Sequence, residues 1–115
     1  MISFNLVPGM ESEISNQFIQ GMLDRMCVSR FKYGPVKEAY PHKVSAISSL
    51  ETRIALYKQT GNTEYLMDAA NFAMIEFMLP GHPKAHFKPT DSNESPGRVW
   101  HSEVDSSQRS NKGED

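Results

Sequence analysis

Residues 62–81, NTEYLMDAANFAMIEFMLPG, decide the fold. Asn62 or Thr63 can cap a helix start and Pro80-Gly81 ends it, and between them apolar side chains recur at three- and four-residue spacings. Glu64 falls in the first turn, at the positive end of the helix dipole. The pattern predicts a helix over residues 63–79. Leu66, Ala69, Ala70, Ala73 and Phe77 share a continuous face with small residues in its middle, which favours close packing against another helix. Met67, Met74, Ile75 and Met78 make the adjoining side apolar as well. A helix apolar most of the way round belongs at the centre of its fold.

Upstream, a helix is expected over residues 43–59. At about 100° per residue, Ala46, Ile47, Leu50, Ile54 and Tyr57 fall on one face, with Ser45, Ser48, Thr52 and Gln59 opposite. Gly61 is a suitable C-terminal stop. Another helix is expected over residues 12–30, capped by Ser12 and carrying the stripe Ile14, Phe18, Met22 and Met26. Phe31-Lys32-Tyr33-Gly34-Pro35 closes it. Ahead of it, Ile2, Phe4, Leu6 and Val7 read as an extended arm ended by Pro8-Gly9.

Downstream of Pro80 the composition changes. Residues 81–100 carry Gly81, Pro83, Pro89, Pro96 and Gly97, with Phe87 and Trp100 as the main apolar anchors, and read as an irregular arm. Residues 101–115 hold Val104 alone among aliphatic side chains and are expected to be a disordered tail. The organisation is thus one helical domain over residues 1–100 followed by that tail. A core drawn from so short a stretch is thin, and self-association would complete it. The fold class expected is all-α, three helices completing an antiparallel bundle by oligomerisation.

A formal net charge of −2 gives no electrostatic case for a nucleic-acid partner or an acidic membrane. No apolar run approaches the ~20 residues that span a bilayer. A single cysteine, Cys27, excludes an internal disulfide, and its helical setting suggests a buried, inert thiol. Nothing near Met1 reads as a signal peptide, so a reducing cytoplasm is the expected location.

Chemistry concentrates on one side of the 63–79 helix. Glu64, Asp68 and Asn71 stand at i, i+4 and i+7, among methionine, isoleucine and phenylalanine. A buried carboxylate needs a cation, an arginine or several donors, so Asp68 reads either as a Mg²⁺ ligand or as an ion-pair partner of Arg25 or Arg53. Glu51, at the border of the apolar face of the 43–59 helix, is the further oxygen ligand that a hard cation would need. His82 and His86 are four apart, but Pro80, Gly81 and Pro83 break the helix that would make them a metal pair.

The stretch from Phe31 to Pro80, with Phe-Lys-Tyr-Gly-Pro, Ser-Leu-Glu-Thr-Arg and Thr-Gly-Asn-Thr-Glu-Tyr-Leu-Met-Asp-Ala-Ala-Asn-Phe, resembles small phage-type proteins. Its helical part is similar to MazG-like, all-α nucleoside triphosphate pyrophosphohydrolases and to phage dATP/dGTP diphosphohydrolase-like domains. The resemblance covers about half of the chain and is densest over residues 60–77. It implies a helical oligomer that holds Mg²⁺ on acidic residues of two helices and splits a nucleoside triphosphate into monophosphate and pyrophosphate. Glu51 and Asp68 would then be catalytic, Glu51, Glu64 and Asp68 would hold Mg²⁺, and Asn71, Arg53 and Lys32 would contact the nucleotide. The family's E-x-x-E has no counterpart here: Glu51 is followed by Ile54, and Glu38 by Pro41. The alternative is a non-catalytic, phage-encoded binding protein, an inhibitor of a protein target or a nucleotide-sequestering factor in the host cytoplasm.

Overall fold

The computed structural model describes residues 5–90. The chain divides into Met1–Ala85 and His86–Asp115, and the first unit holds every described helix. Of the second unit, residues 86–90 are exposed and have no regular secondary structure. Trp100, the Pro96-Gly97 turn and the tail lie outside the described residues, as do Ile2 and Phe4.

Three α-helices and no strand are present among the described residues: α1 (Asn16–Tyr33), α2 (Ala46–Thr60) and α3 (Glu64–Met78). Short 3₁₀ turns at Met10–Glu13 and Val36–Glu38 precede and follow α1. No described helix is long and apolar enough to cross a membrane.

Local chemistry sets each boundary. α1 begins at Ser15, not Ser12: the Ser15 Oγ accepts the Phe18 N–H at 2.9 Å, while the Ser12 hydroxyl donates to Glu13 in the preceding turn. α1 also runs through Phe31, Lys32 and Tyr33. It stops only at Gly34, whose φ of +88° suits glycine and whose N–H reaches the Arg30 carbonyl. α2 starts three residues later than expected, because the Ser45 Oγ accepts the Ser48 N–H at 3.1 Å. Gly61, at φ +75°, closes α2 with an N–H to the Tyr57 carbonyl. Asn62 Oδ1 then accepts the Glu64 N–H at 3.0 Å, so the turn that ends α2 also caps α3. A connection this short makes α2 and α3 a helical hairpin.

α3 is the hub, packing extensively on α2 and also on α1. α1 comes close to α3 at Gly21, where an added Cβ would lie 2.6 Å from the Met67 Sδ. The core is nonetheless small: Ala46, Ala69, Ile75 and Asn71 are the buried residues among those described. Leu50, Ile54 and Tyr57 of α2 are half-buried. The expected packing face of α3 is corrected in part. Ala69 is buried, but Ala73 is exposed and Phe77 is 75% exposed. The reason is that α1 and α2 both approach the side of α3 that carries Asp68, and leave the opposite side open. Cys27 is exposed, contrary to the buried thiol expected from its helical setting.

Candidate functional site: an arginine–carboxylate cluster

Glu64 and Asp68, one turn apart on α3, point toward α1 and receive a single guanidinium. Arg25 Nε donates to Asp68 Oδ1 at 2.5 Å, its Nη2 to Asp68 Oδ2 at 3.1 Å, and its Nη1 to Glu64 Oε2 at 2.5 Å. That is the two-pronged geometry a planar guanidinium supplies and an ammonium cannot. Arg53 of α2 adds its Nε to Asp68 Oδ2 at 3.2 Å and lies over the Phe72 ring, 5.5 Å from the centroid. Asp68 therefore ties α3 to both other helices. Its side chain is only 15% exposed, whereas both arginines keep about a third of theirs in solvent.

Two arginines balance two carboxylates, so the cluster is formally neutral. The hydrogen bond and charge of Asp68, then Glu64, hold the Arg25 pKa above its ordinary value, against the opposing effect of burial. Tyr40 lies close enough to Arg53 to feel its charge, but burial is the larger effect and raises the phenol pKa. One turn beyond Asp68, the Asn71 Nδ2 donates to the Met22 carbonyl at 2.9 Å, and its buried Oδ1 has no hydrogen-bond partner among the described residues.

The residues singled out in the sequence are thus only partly assembled. Glu64, Asp68 and Arg53 share one cluster, and Asn71 adjoins it on α3. Glu51 is exposed on α2, and Lys32 is exposed in the last turn of α1. Among the described residues, no three His, Cys, Asp or Glu side chains come together as a group able to hold a metal ion, so Glu51, Glu64 and Asp68 are not gathered as ligands. The Asp68 oxygens face guanidinium groups, and a cation there would have to displace them. His82 serves a turn: its Nδ1 accepts the Lys84 N–H at 2.9 Å. A hollow of about 240 Å³ exists in the N-terminal segment, lined by Leu6, Met10 and Ile14 among others, and includes none of the cluster residues.

Arg25 is the residue that sequence reasoning undervalued. The signal was present: carboxylates at i and i+4 span the width of one guanidinium, and Arg25 borders the apolar stripe of α1. Comparison with known proteins adds no relative, since no family model, curated protein or solved structure matches this chain.

Proposed function

We propose that this chain is a non-catalytic helical binding protein in which the acidic residues of α3 join helices. The observation that carries this reading is the engagement of Asp68 by two arginines, with Glu64 on one of them. A carboxylate already neutralised by a guanidinium is a poor Mg²⁺ ligand, because the cation must replace strong charge-assisted bonds. The far end of α1 offers a surface of the right composition for a protein partner. Phe31 is 92% exposed and Tyr33 79%, with Val28, Arg30 and Lys32 beside them. Exposed aromatic and arginine side chains are the groups that dominate binding hot spots.

Mg²⁺-dependent nucleoside triphosphate pyrophosphohydrolysis is the second reading. The observation in its favour is the buried Asn71 Oδ1 beside the cluster, which accepts no hydrogen bond from the described residues. The test is to incubate the protein with a panel of ribo- and deoxynucleoside triphosphates and Mg²⁺ and to follow pyrophosphate release. The binding-protein reading expects none. Turnover that disappears in Asp68→Asn while helicity persists would overturn it in favour of the enzyme.

A further inference from the structure

The last turn of α1 is exposed on every side. Arg30, Phe31, Lys32 and Tyr33 are four consecutive exposed residues, and at about 100° per residue they point all the way round the helix. Phe31, 92% exposed, is the barest large hydrophobic side chain among the described residues. Arg30 and Lys32 flank it at about 100° on either side, and Val28 lies about 60° from it one turn earlier. Arg30 also lies about 60° from Tyr33. Neither Arg30 nor Lys32 forms a side-chain ion pair or hydrogen bond among the described residues, whereas Asp68 engages both Arg25 and Arg53. Cations in the last turn offset the negative end of the helix dipole. That accounts for the two charges, but not for the bare rings set beside them.

We infer that the tip of α1 is a docking surface for a short acidic segment of another protein, in which an aromatic or aliphatic side chain is flanked by carboxylates. The inference rests on the binding-protein reading above and names the chemistry of the partner. Charge complementarity selects it: two cations free of ion pairs, beside Phe31 and Tyr33, fit an anion with an apolar neighbour. Arg30 can hold a carboxylate through paired N–H donors while Phe31 and Val28 cover the apolar side chain. A single nucleic-acid strand also offers anions and flat bases, but it repeats its charge at every nucleotide and needs cations along its path. Behind the tip, the same exposed side of α1 carries Asp24 and Gln20, hydrogen-bonded to each other, so the surface turns acidic within two turns. The chain as a whole is negative too, at −2. From Val28 to Tyr33 the helix advances only about 8 Å, a footprint for a few residues of a peptide. Binding should therefore be weak, with a Kd on the order of 10–100 µM.

The test is to select random dodecapeptides, displayed on a cell surface, against the full chain, and to titrate a synthetic representative by fluorescence anisotropy. Enriched peptides should carry an excess of Asp and Glu around an aromatic or aliphatic side chain. Affinity for the representative should fall about tenfold or more in Phe31→Ser, and likewise in Arg30→Gln combined with Lys32→Gln. It should also fall as salt rises. All three positions are exposed, so the variants should keep the helical circular dichroism of the wild type. Failure to enrich any peptide, enrichment without an acidic excess, or binding indifferent to Phe31→Ser would each overturn the inference. So would a single-stranded oligothymidylate that displaces the peptide and binds more tightly. Pyrophosphate release from the same preparation separates this failure from that of the reading beneath it. No peptide and no turnover overturns only the assigned partner, whereas no peptide with turnover that Asp68→Asn abolishes overturns both.

Discussion

The two sides of α3 solve the same problem in opposite ways. On one side, Asp68 and Glu64 meet Arg25 and Arg53, and charge-assisted bonds tie three helices at one point. On the other, Leu66, Ala70, Ala73 and Phe77 present an uncharged strip that neither α1 nor α2 covers. The polar side carries the ion pairs that link the helices, while Ala46, Ala69 and Ile75 are the buried apolar residues among those described. Charged residues inside a helical domain thus need not mark a reaction centre. In a thin core they hold elements together, at the expense of sensitivity to any change in their number.

The largest effect should follow from cutting the polar side. Arg25 and Arg53 would each lose a partner in Asp68→Asn. A fully buried broken pair costs ~3–5 kcal/mol, and the partial exposure of both arginines reduces the expectation to about 2–3 kcal/mol. For a domain of this size that is a fall in melting temperature of about 10–20 °C, measurable by circular dichroism. A loss below about 0.5 kcal/mol would mean that the arginines are already solvated in the native state.

Next in size is Asn71, which belongs to the same side. Replacing it by alanine removes the bond to the Met22 carbonyl and leaves a small cavity, for an expected loss of about 1–2 kcal/mol. Asn71→Leu should lose less, because it also removes the unpaired Oδ1. If leucine proves much worse than alanine, the Oδ1 has a partner in solution, and the second functional reading gains weight.

The open side should behave differently. Phe77→Ser should change stability by no more than about 0.5 kcal/mol, as for other exposed positions. A loss comparable to that of Asp68→Asn would erase the contrast between the two sides. At the α1–α3 crossing, Gly21→Ala brings its new Cβ against the flexible end of Met67. The gain in helix propensity, about 1 kcal/mol, should roughly cancel that displacement, leaving a change within about 1 kcal/mol of either sign. Gly21→Ala combined with Met67→Ala isolates the clash.

The smallest effect is a pH dependence. Burial raises the Tyr40 pKa above the ordinary 10.0, so the folded protein holds this proton more tightly than the unfolded chain does. The associated stability is complete below pH ~10 and is lost as pH rises through the folded pKa. Ultraviolet titration should show a late tyrosinate ionisation that Tyr40→Phe removes.

Three helices were legible in the sequence because apolar period, glycine stops and proline breaks agree at Gly34, Gly61 and Pro80. The start of α1 was not, since two serines compete as caps. Ile14 and Ile19, which flank Ser15 as a hydrophobic staple does, were the overlooked clue. The i, i+4 spacing of Glu64 and Asp68 marked the cluster but not its occupant. A carboxylate pair suits a cation or a guanidinium equally well, and only the packing of α1 brings Arg25 there. Burial of α3 was overread for the same reason. An apolar face shows that a helix seeks cover, and not whether the cover comes from its own chain.

Asp68 receives guanidinium groups from α1 and α2 and so joins three helices at one point. Thermal melting of the wild type and of Asp68→Asn, each with and without Mg²⁺, separates this joining role from metal binding. If the arginines are the partners of Asp68 in solution, the melting temperature of the wild type ignores Mg²⁺ and the mutant melts about 10–20 °C lower under either condition. A wild type stabilised by Mg²⁺, beside a mutant that keeps its stability but no longer responds to the ion, would contradict it.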